Sequence, residues 1–218
     1  RLRNANPDDT SAFYRRALCK FRLRDEKGAF DDAYSAVWSY ANRTAAYYLL
    51  AKIASKRGDK SQAVDFLRLA LETNVRDLRA RYALAILTGD HKATEDIKTA
   101  DPLFIPNPRD TRRAIEFAVE LSDFGLTDLA VKTLEAADDG AGKFYYLAYL
   151  TRGAKRKEYL KAADASPWQY AFPSRIESIA VLKAAGTPMA SYYLGCLLYS
   201  FERYIEAAKA WEKTVKSL

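Results

Sequence analysis

The chain has 218 residues, of which 49% are hydrophobic and 29% charged, with only 9 glycines and 7 prolines. This composition is typical of a folded helical protein and excludes a disordered or low-complexity chain. The formal net charge of +7 favours acidic partners. The charge is small, however, and basic residues are interleaved with acidic ones, so nucleic acid is a disfavoured partner. No run of 18 apolar residues occurs, so we expect no membrane span.

A small residue recurs at a nearly constant interval along the chain, and each copy follows a short apolar or aromatic stretch. The first four copies lie 34, 34 and 33 residues apart, an interval that is typical of helical repeat arrays. Such arrays stack their repeats in single file and present a long surface to a partner. The recurring small residues are Ala17, Ala51, Ala85, Ala118, Ala148 and Gly195.

Six segments align on these small residues. Each is predicted to open with an amphipathic helix, because bulky and small residues recur at helical spacing. Several segments then turn, at glycines such as Gly58 and Gly125, into a second helix with its own small residues, which let the two helices approach closely. The segments begin near Thr10, Thr44, Leu78, Thr111, Ala141 and Pro188, and the small residues of the second helices include Ala29, Ala63, Ala130 and Ala207.

Two segments depart from this pattern because their second helices are short. The third segment has room only for a helix over residues 91–100, and the fifth must use residues 155–164. A proline-containing connector over residues 166–173 follows the fifth segment. These irregularities would bend or kink a regular stack of helix pairs.

An extra helix is predicted after the connector, over residues 174–185. Ser174 and Glu177 have the spacing of a capping box, which would start this helix. Thr187 before Pro188 predicts the start of the next helix, because the threonine hydroxyl can cap it and proline is tolerated in the first turn.

The final segment resembles the tetratricopeptide repeat, a 34-residue helix–turn–helix unit, in the runs Tyr192-Tyr193-Leu194-Gly195 and Tyr204-Ile205-Glu206-Ala207-Ala208. Residues 47–71 match the pattern nearly as well. The resemblance implies an all-α fold, a right-handed superhelical solenoid of about six helix pairs. It also implies one continuous domain over residues 1–218.

A looser resemblance concerns the last fifty residues. The runs Phe172-Pro173-Ser174-Arg175 and Ala210-Trp211-Glu212 are similar to the tail of certain large bacterial proteins that begin with a β-sandwich domain of unknown function. Both ends of the chain look cut, so we expect a fragment of a longer protein. No signal peptide is visible after Arg1, which favours a cytoplasmic location.

The tetratricopeptide resemblance also implies where a partner binds, because the first helices of such arrays line a concave groove. Tyrosine suits recognition through its broad apolar face and its hydroxyl, and arginine binds carboxylates. An acidic, partly hydrophobic peptide would fit such a groove. The alternative is that the tyrosines pack between neighbouring first helices. The predicted groove residues are Tyr14, Arg15, Tyr48, Lys52, Arg79, Tyr82, Arg112, Tyr145, Tyr149, Arg152, Tyr192 and Tyr199.

We therefore expect a protein–protein interaction module or assembly scaffold. A first alternative is a glycan-binding accessory domain of a carbohydrate-related protein, because tyrosine rings can stack on sugars. A nucleic-acid binder is the weaker alternative. It rests on the basic residues around Arg152, for which a solvated turn is the simpler interpretation.

Nothing in the sequence indicates an enzyme, a cofactor or a metal site. His91 is the single histidine, predicted at a helix start, and no serine or cysteine nucleophile has a recognisable context. Cys19 and Cys196 have no metal-ligand spacing. We expect both cysteines to be small buried residues within helices.

Overall fold

The computed structural model describes residues 10–101, 104–167 and 172–216. These residues contain helices, turns and loops but no strand, which confirms the predicted all-α fold. The helices are α1 (Ser11–Arg22), α2 (Glu26–Ala36), α3 (Tyr40–Lys56), α4 (Lys60–Thr73), α5 (Leu78–Thr88), α6 (His91–Ala100), α7 (Thr111–Asp123), α8 (Thr127–Glu135), α9 (Ala141–Leu150), α10 (Gly153–Ala165), α11 (Glu177–Ala185), α12 (Pro188–Ser200) and α13 (Tyr204–Val215).

The described residues form two compact units. The first runs to Ile105 and also contains Ser122–Leu126, which is the end of α7 and the turn after it. The second contains Pro106–Leu121 and the chain from Thr127 onward. The single continuous domain stays a prediction. Within the described residues, no helix is both long enough and apolar enough to cross a bilayer.

Helix pairs joined by short turns build the first unit. The pairs are α1 with α2, α3 with α4, and α5 with α6. Short turns make the helices of each pair antiparallel neighbours. The recurring alanines Ala17, Ala51 and Ala85 are at most 2% exposed, so the small positions do lie where helices approach closely. Leu50 and Leu67 are fully buried beside them, as the predicted alternation of small and large residues requires.

A buried aspartate on α2 pairs with two partly exposed cations on α1 in the first unit. Arg16 donates two hydrogen bonds of 2.6 Å to the carboxylate of Asp32, and the ammonium of Lys20 lies 2.9 Å from the same carboxylate. The hydrogen bonds from Arg16 hold the pKa of Asp32 below its ordinary value. Arg16 thus stabilises the helix pair at a position where the other repeats carry a large apolar residue.

The second unit contains the pairs α9 with α10 and α12 with α13, and α11 contacts both α9 and α12. Helix α8 packs on α9. The small residues Ala118, Ala148 and Gly195 are buried here as in the first unit. The indole of Trp211 fills the space beside Gly195, where a Cβ atom would collide with it. Close approach of α13 to α12 therefore depends on this glycine.

Helix boundaries agree with the predicted repeat starts, with two exceptions. Helix α3 begins at Tyr40 rather than near Thr44, because no proline or glycine interrupts the chain after α2. Helix α11 begins at Glu177 rather than at residue 174, and its N-cap makes no side-chain hydrogen bond. The Glu177 carboxylate lies 3.4 Å from Nε of Arg175.

Three smaller expectations concern individual residues and short segments. Helix α10 begins at Gly153, two residues before the predicted 155, and the connector residues 168–171 lie outside the described residues. The prediction that both cysteines are buried is wrong, because Cys19 is exposed and Cys196 is half-buried. Cys19 lies between the buried positions Ala17 and Phe21, so helical periodicity turns it to the opposite face of α1.

Candidate partner-binding sites

The structure divides the predicted groove residues by exposure. Tyr48, Lys52, Tyr82 and Tyr145 are each at most 8% exposed, as the packing alternative for the tyrosines requires. Tyr14, Tyr149 and Tyr192 are half-buried, while Arg15, Arg79, Arg112, Arg152 and Tyr199 are exposed. Contact between these side chains and a partner stays a prediction.

A socket for an acidic residue lies in the first unit, where α1 and α3 meet the end of α7. Nη1 of Arg22 donates a hydrogen bond of 2.9 Å to Oδ1 of Asp123, although the two residues are 101 positions apart in sequence. Nζ of Lys52 lies 3.6 Å from the other carboxylate oxygen. Asp123 is only 6% exposed, so two cations balance its buried charge.

The residue after Asp123 fills the apolar part of this socket. Phe124 is 3% exposed and its ring meets the Tyr48 ring edge-on, with centroids 5.3 Å apart. The hydroxyl of Ser55 donates a hydrogen bond of 2.6 Å to the Phe124 carbonyl oxygen. The ammonium of Lys52 lies 5.1 Å from the Tyr48 ring centroid and 5.9 Å from that of Phe124. We call Arg22, Tyr48, Lys52 and Ser55 the Asp123 socket.

A glycine allows the turn after Phe124 to lie against α3. Gly125 has a φ of +76°, and its Cα position faces the Lys56 backbone, 3.7 Å from where a Cβ would stand. A side chain here would be strained by the left-handed backbone conformation. The turn thus brings one acidic and one aromatic side chain into a surface built from cations and a tyrosine.

Exposed aromatic rings border a second feature of the first unit, at the turn between α2 and α3. Trp38 is 78% exposed and Tyr40 is 74% exposed. They line an open pocket of about 490 Å³ together with Arg43, Glu72 and other residues. Large exposed aromatic rings of this kind commonly mark contact surfaces. We call this feature the Trp38 pocket.

The second unit contains a larger, aromatic pocket of about 600 Å³. We call it the aromatic pocket. Its hydroxyl groups are mostly used within the protein. The Tyr145 hydroxyl donates to Asp164 at 2.7 Å, and the Tyr146 hydroxyl lies 3.0 Å from the Ser178 hydroxyl. Burial, together with the bond to Asp164, raises the pKa of Tyr145, so this phenol stays protonated. Its lining includes Ile115, Tyr145, Tyr146, Phe172, Pro173, Arg175, Val181, Leu182 and Tyr193.

Arg175 and Tyr193 differ from the other polar residues of the aromatic pocket. Nη1 of Arg175 lies 2.9 Å from Glu116, and its Nε lies 3.4 Å from Glu177. That buried Nε nevertheless makes no hydrogen bond, and neither does the hydroxyl of Tyr193, which is 1% exposed. Burial raises the pKa of the Tyr193 phenol. Two potential donors in this pocket therefore have no acceptor.

The basic residues near Arg152 are only partly free to meet a phosphate backbone. Nη2 of Arg156 donates a hydrogen bond of 2.6 Å to the carbonyl oxygen of Ala184, at the end of α11. Lys155 lies 3.9 Å from Glu135. These contacts use part of the local positive charge within the second unit. Lys155 and Arg156 lie in helix α10, so the predicted solvated turn is wrong at these two residues.

Neither the Asp123 socket nor the aromatic pocket was predicted as a unit from the sequence. In this part of the chain the sequence analysis identified only Gly125, as the turn between two helices. The connector around Phe172 was predicted without a role. Within the described residues, no cluster of metal-ligating side chains is found.

The known proteins that this chain resembles are distant from it. No family model matches the chain. A crystal structure of MamA protein is 13% identical with a TM-score of 0.37, over 95% of this chain and 91% of that one. MamA from residue 41 to its end, from Desulfovibrio magneticus RS-1, is 13% identical with a TM-score of 0.32, over 95% and 93%. The C-terminal part of a TPR repeat-containing protein from Cytophaga hutchinsonii is 15% identical with a TM-score of 0.35, over 96% and 84%.

The class of this protein follows from its own helices. Consecutive helix pairs, each with small residues at the helix–helix contact, make it an all-α helical-repeat protein of tetratricopeptide-like architecture. A likeness as distant as those above does not extend to individual side chains. The description of the Asp123 socket, the Trp38 pocket and the aromatic pocket therefore depends on the geometry of this chain alone.

Proposed function

We propose that this protein is a protein–protein interaction module whose first unit recognises a segment in which an acidic residue precedes an aromatic one. The observation that supports this is the Asp123 socket. It holds the chain's own Asp123 and Phe124 by an arginine, a lysine, a tyrosine ring and a serine hydroxyl. A partner segment of the same chemistry would use the same contacts.

The chemistry of the socket explains this preference. Arg22 and Lys52 supply positive charge to a site that is largely shielded from water, where a carboxylate gains more from pairing than it does at the surface. Tyr48 supplies an aromatic surface for the neighbouring ring. The Ser55 hydroxyl fixes the backbone at the aromatic residue, because it donates a hydrogen bond to the carbonyl oxygen of that residue.

The proposal implies competition between a partner and the chain's own segment. A variant with Asp123→Asn and Phe124→Ala should bind a fluorescent peptide of sequence Ser-Asp-Phe-Gly-Leu about tenfold or more tightly than the parent, because the internal segment no longer competes. Fluorescence anisotropy measures the affinity. Circular dichroism verifies that the variant keeps its helices. Equal or weaker binding by a folded variant would contradict the proposal.

Two controls separate recognition from general attraction. In the double variant, Arg22→Gln should weaken peptide binding about tenfold, which is the effect of losing a hydrogen bond to a charged group. Lys27→Gln removes the same charge from an exposed position on the neighbouring helix α2 and should change little. It is the matched control for Arg22→Gln. A peptide Ser-Asn-Ala-Gly-Leu should not bind. Equal effects of these two substitutions would indicate only long-range electrostatics.

A second candidate function is glycan binding, which the Trp38 pocket favours. Trp38 and Tyr40 offer exposed ring faces, and Glu72 and Arg43 line the same pocket and can bond to hydroxyl groups. Sugar rings combine an apolar face with hydroxyl groups and would match this arrangement. A glycan array compares the parent with Trp38→Ala. Binding lost in the variant would favour this candidate, and a blank array for the parent would eliminate it.

A further inference from the structure

The aromatic pocket of the second unit combines apolar walls with unused hydrogen-bond donors. Its wall includes the rings of Tyr145, Tyr146 and Phe172 and the side chains of Val181 and Leu182. Its volume of about 600 Å³ lies in the range of small-molecule sites, which typically have about 300–1,000 Å³. A compact apolar body would fit these walls.

The unused donors define the polar part of a ligand. The Tyr193 hydroxyl and Nε of Arg175 are buried, and neither makes a hydrogen bond within the protein. Leaving such groups unpaired destabilises a folded protein, so proteins seldom retain them without a use. Both groups can donate, and an oxygen acceptor on a bound molecule would pair with either.

The charges around the pocket indicate that this acceptor is neutral. The guanidinium of Arg175 faces two carboxylates, at 2.9 Å from Glu116 and 3.4 Å from Glu177. Arg112 at the rim lies 3.9 Å from the same Glu116. Asp139 lines the pocket as well, and the charge of Arg175 is already balanced by Glu116 and Glu177, so a ligand carboxylate would gain little there.

We infer that this pocket is a binding site for a compact, uncharged molecule that combines an apolar ring with a carbonyl oxygen, such as an aromatic amide. The carbonyl oxygen accepts a hydrogen bond from the Tyr193 hydroxyl while the ring lies against the aromatic and aliphatic walls. This site lies within the second unit and does not depend on the socket of the first.

Three small probes of nearly equal shape test the inference on the full chain. Benzamide has the ring and the neutral carbonyl, benzoate has a charged carboxylate, and toluene has no acceptor. Saturation-transfer NMR titrations should rank benzamide as the tightest binder. The expected margin over the other two is about fivefold, the effect of one net hydrogen bond.

Substitution of the donor tests whether the preference arises in this pocket. Tyr193→Phe keeps the ring but removes the hydroxyl, so benzamide should bind about as weakly as toluene does. Tyr199→Phe is the matched control on the same helix, because Tyr199 is 57% exposed and does not line the pocket. That control should keep the full preference for benzamide.

A blocking variant provides an independent check. Ser174 is exposed at the rim of the pocket, so Ser174→Trp should obstruct it without disturbing the buried core and should abolish binding of all three probes. The inference would be overturned if benzoate or toluene bound as tightly as benzamide. It would also be overturned if Tyr193→Phe kept the preference, or if the parent bound none of the probes.

Discussion

Tyr48 of the first unit and Tyr145 of the second occupy the same position in their repeats, and both are buried by different means. Tyr48 is covered by Phe124, a residue from a distant part of the chain. Tyr145 is buried against Tyr193, with ring centroids 6.1 Å apart, and its hydroxyl bonds to Asp164 of the adjacent helix α10. The fifth position of a repeat can therefore either contact a distant segment of the chain, as Tyr48 does, or pack within its own helix pair, as Tyr145 does.

The two units also differ in what fills the space between helices. Alanine, leucine and isoleucine form most of the core around α3, and charges such as those of Asp32 and Asp123 are paired at its edges. Around α9 and α12, tyrosine rings take a larger share, and the hydroxyl groups of Tyr145 and Tyr146 form hydrogen bonds. The stability of the first unit should therefore be more sensitive to substitutions that change charge. The stability of the second unit should be more sensitive to substitutions that alter an aromatic ring or its hydroxyl group.

The largest effect is expected from Ala51→Arg in the first unit. Ala51 is fully buried at the helix–helix contact, so the substitution places a long charged side chain where no space or counter-charge exists. We expect a cost above about 4 kcal/mol and loss of cooperative unfolding, measured by circular dichroism. Ala12→Arg, on the exposed side of α1, is the control and should melt like the parent. A normal melting curve for the Ala51 variant would contradict the register of the repeat.

A smaller effect is expected from Gly195→Ala in the second unit. The added Cβ would collide with the Trp211 indole, whose Nε1 donates a hydrogen bond of 3.2 Å to the Tyr192 carbonyl oxygen. Displacement of the ring should cost about 3 kcal/mol, the upper end for overpacking. Calorimetry measures the change in Tm. Gly140→Ala has open space around its Cβ and should leave Tm nearly unchanged.

The charged edge of the first unit is tested by Asp32→Asn. Loss of the carboxylate leaves Arg16 without its bidentate partner, and we expect about 2 kcal/mol of destabilisation at neutral pH. Because the folded-state pKa of Asp32 is lowered, its contribution is present above the unfolded pKa of about 4 and is lost as pH falls through the folded value.

Denaturant titrations of the parent and the Asp32 variant at neutral and acid pH measure this difference. The two proteins should converge in stability only below about pH 4. Asp31→Asn removes an exposed carboxylate from the same helix and is the matched control. A difference that stays constant down to acid pH would mean that Asp32 acts through shape and not through charge.

The smallest expected effect on stability comes from removing single tyrosine hydroxyls in the second unit. Tyr145→Phe removes the hydrogen bond to Asp164 and should cost about 1 kcal/mol, the typical net value of one such bond. Tyr193→Phe removes a buried hydroxyl with no partner, so its stability should be unchanged or raised. Urea unfolding of the two single variants measures both. An equal loss in the two would show that ring packing, and not the hydroxyl, dominates at these positions.

Local residue patterns predicted most helix boundaries, but they did not predict which tyrosines are buried and which are exposed. The starts of α5, α7, α9 and α12 agree with prediction, because turns and caps are encoded by residues within a few positions of each boundary. The start of α11 was predicted three residues too early, and Arg175 beside that start pairs with Glu116, which lies far away in sequence. Long-range contacts of this kind leave no periodic signal.

Residue patterns along the chain were enough to predict the all-α repeat, the places where helices approach closely, and the glycine and threonine positions that end or begin helices. These features depend on short-range spacing and backbone preference, which the sequence displays directly. The folded arrangement was needed to show that Phe124 covers Tyr48, that Asp123 pairs with Arg22, and that Tyr193 lines a pocket with an unpaired hydroxyl. Such facts depend on which distant side chains meet, since burial and pairing belong to the folded arrangement and not to any local segment.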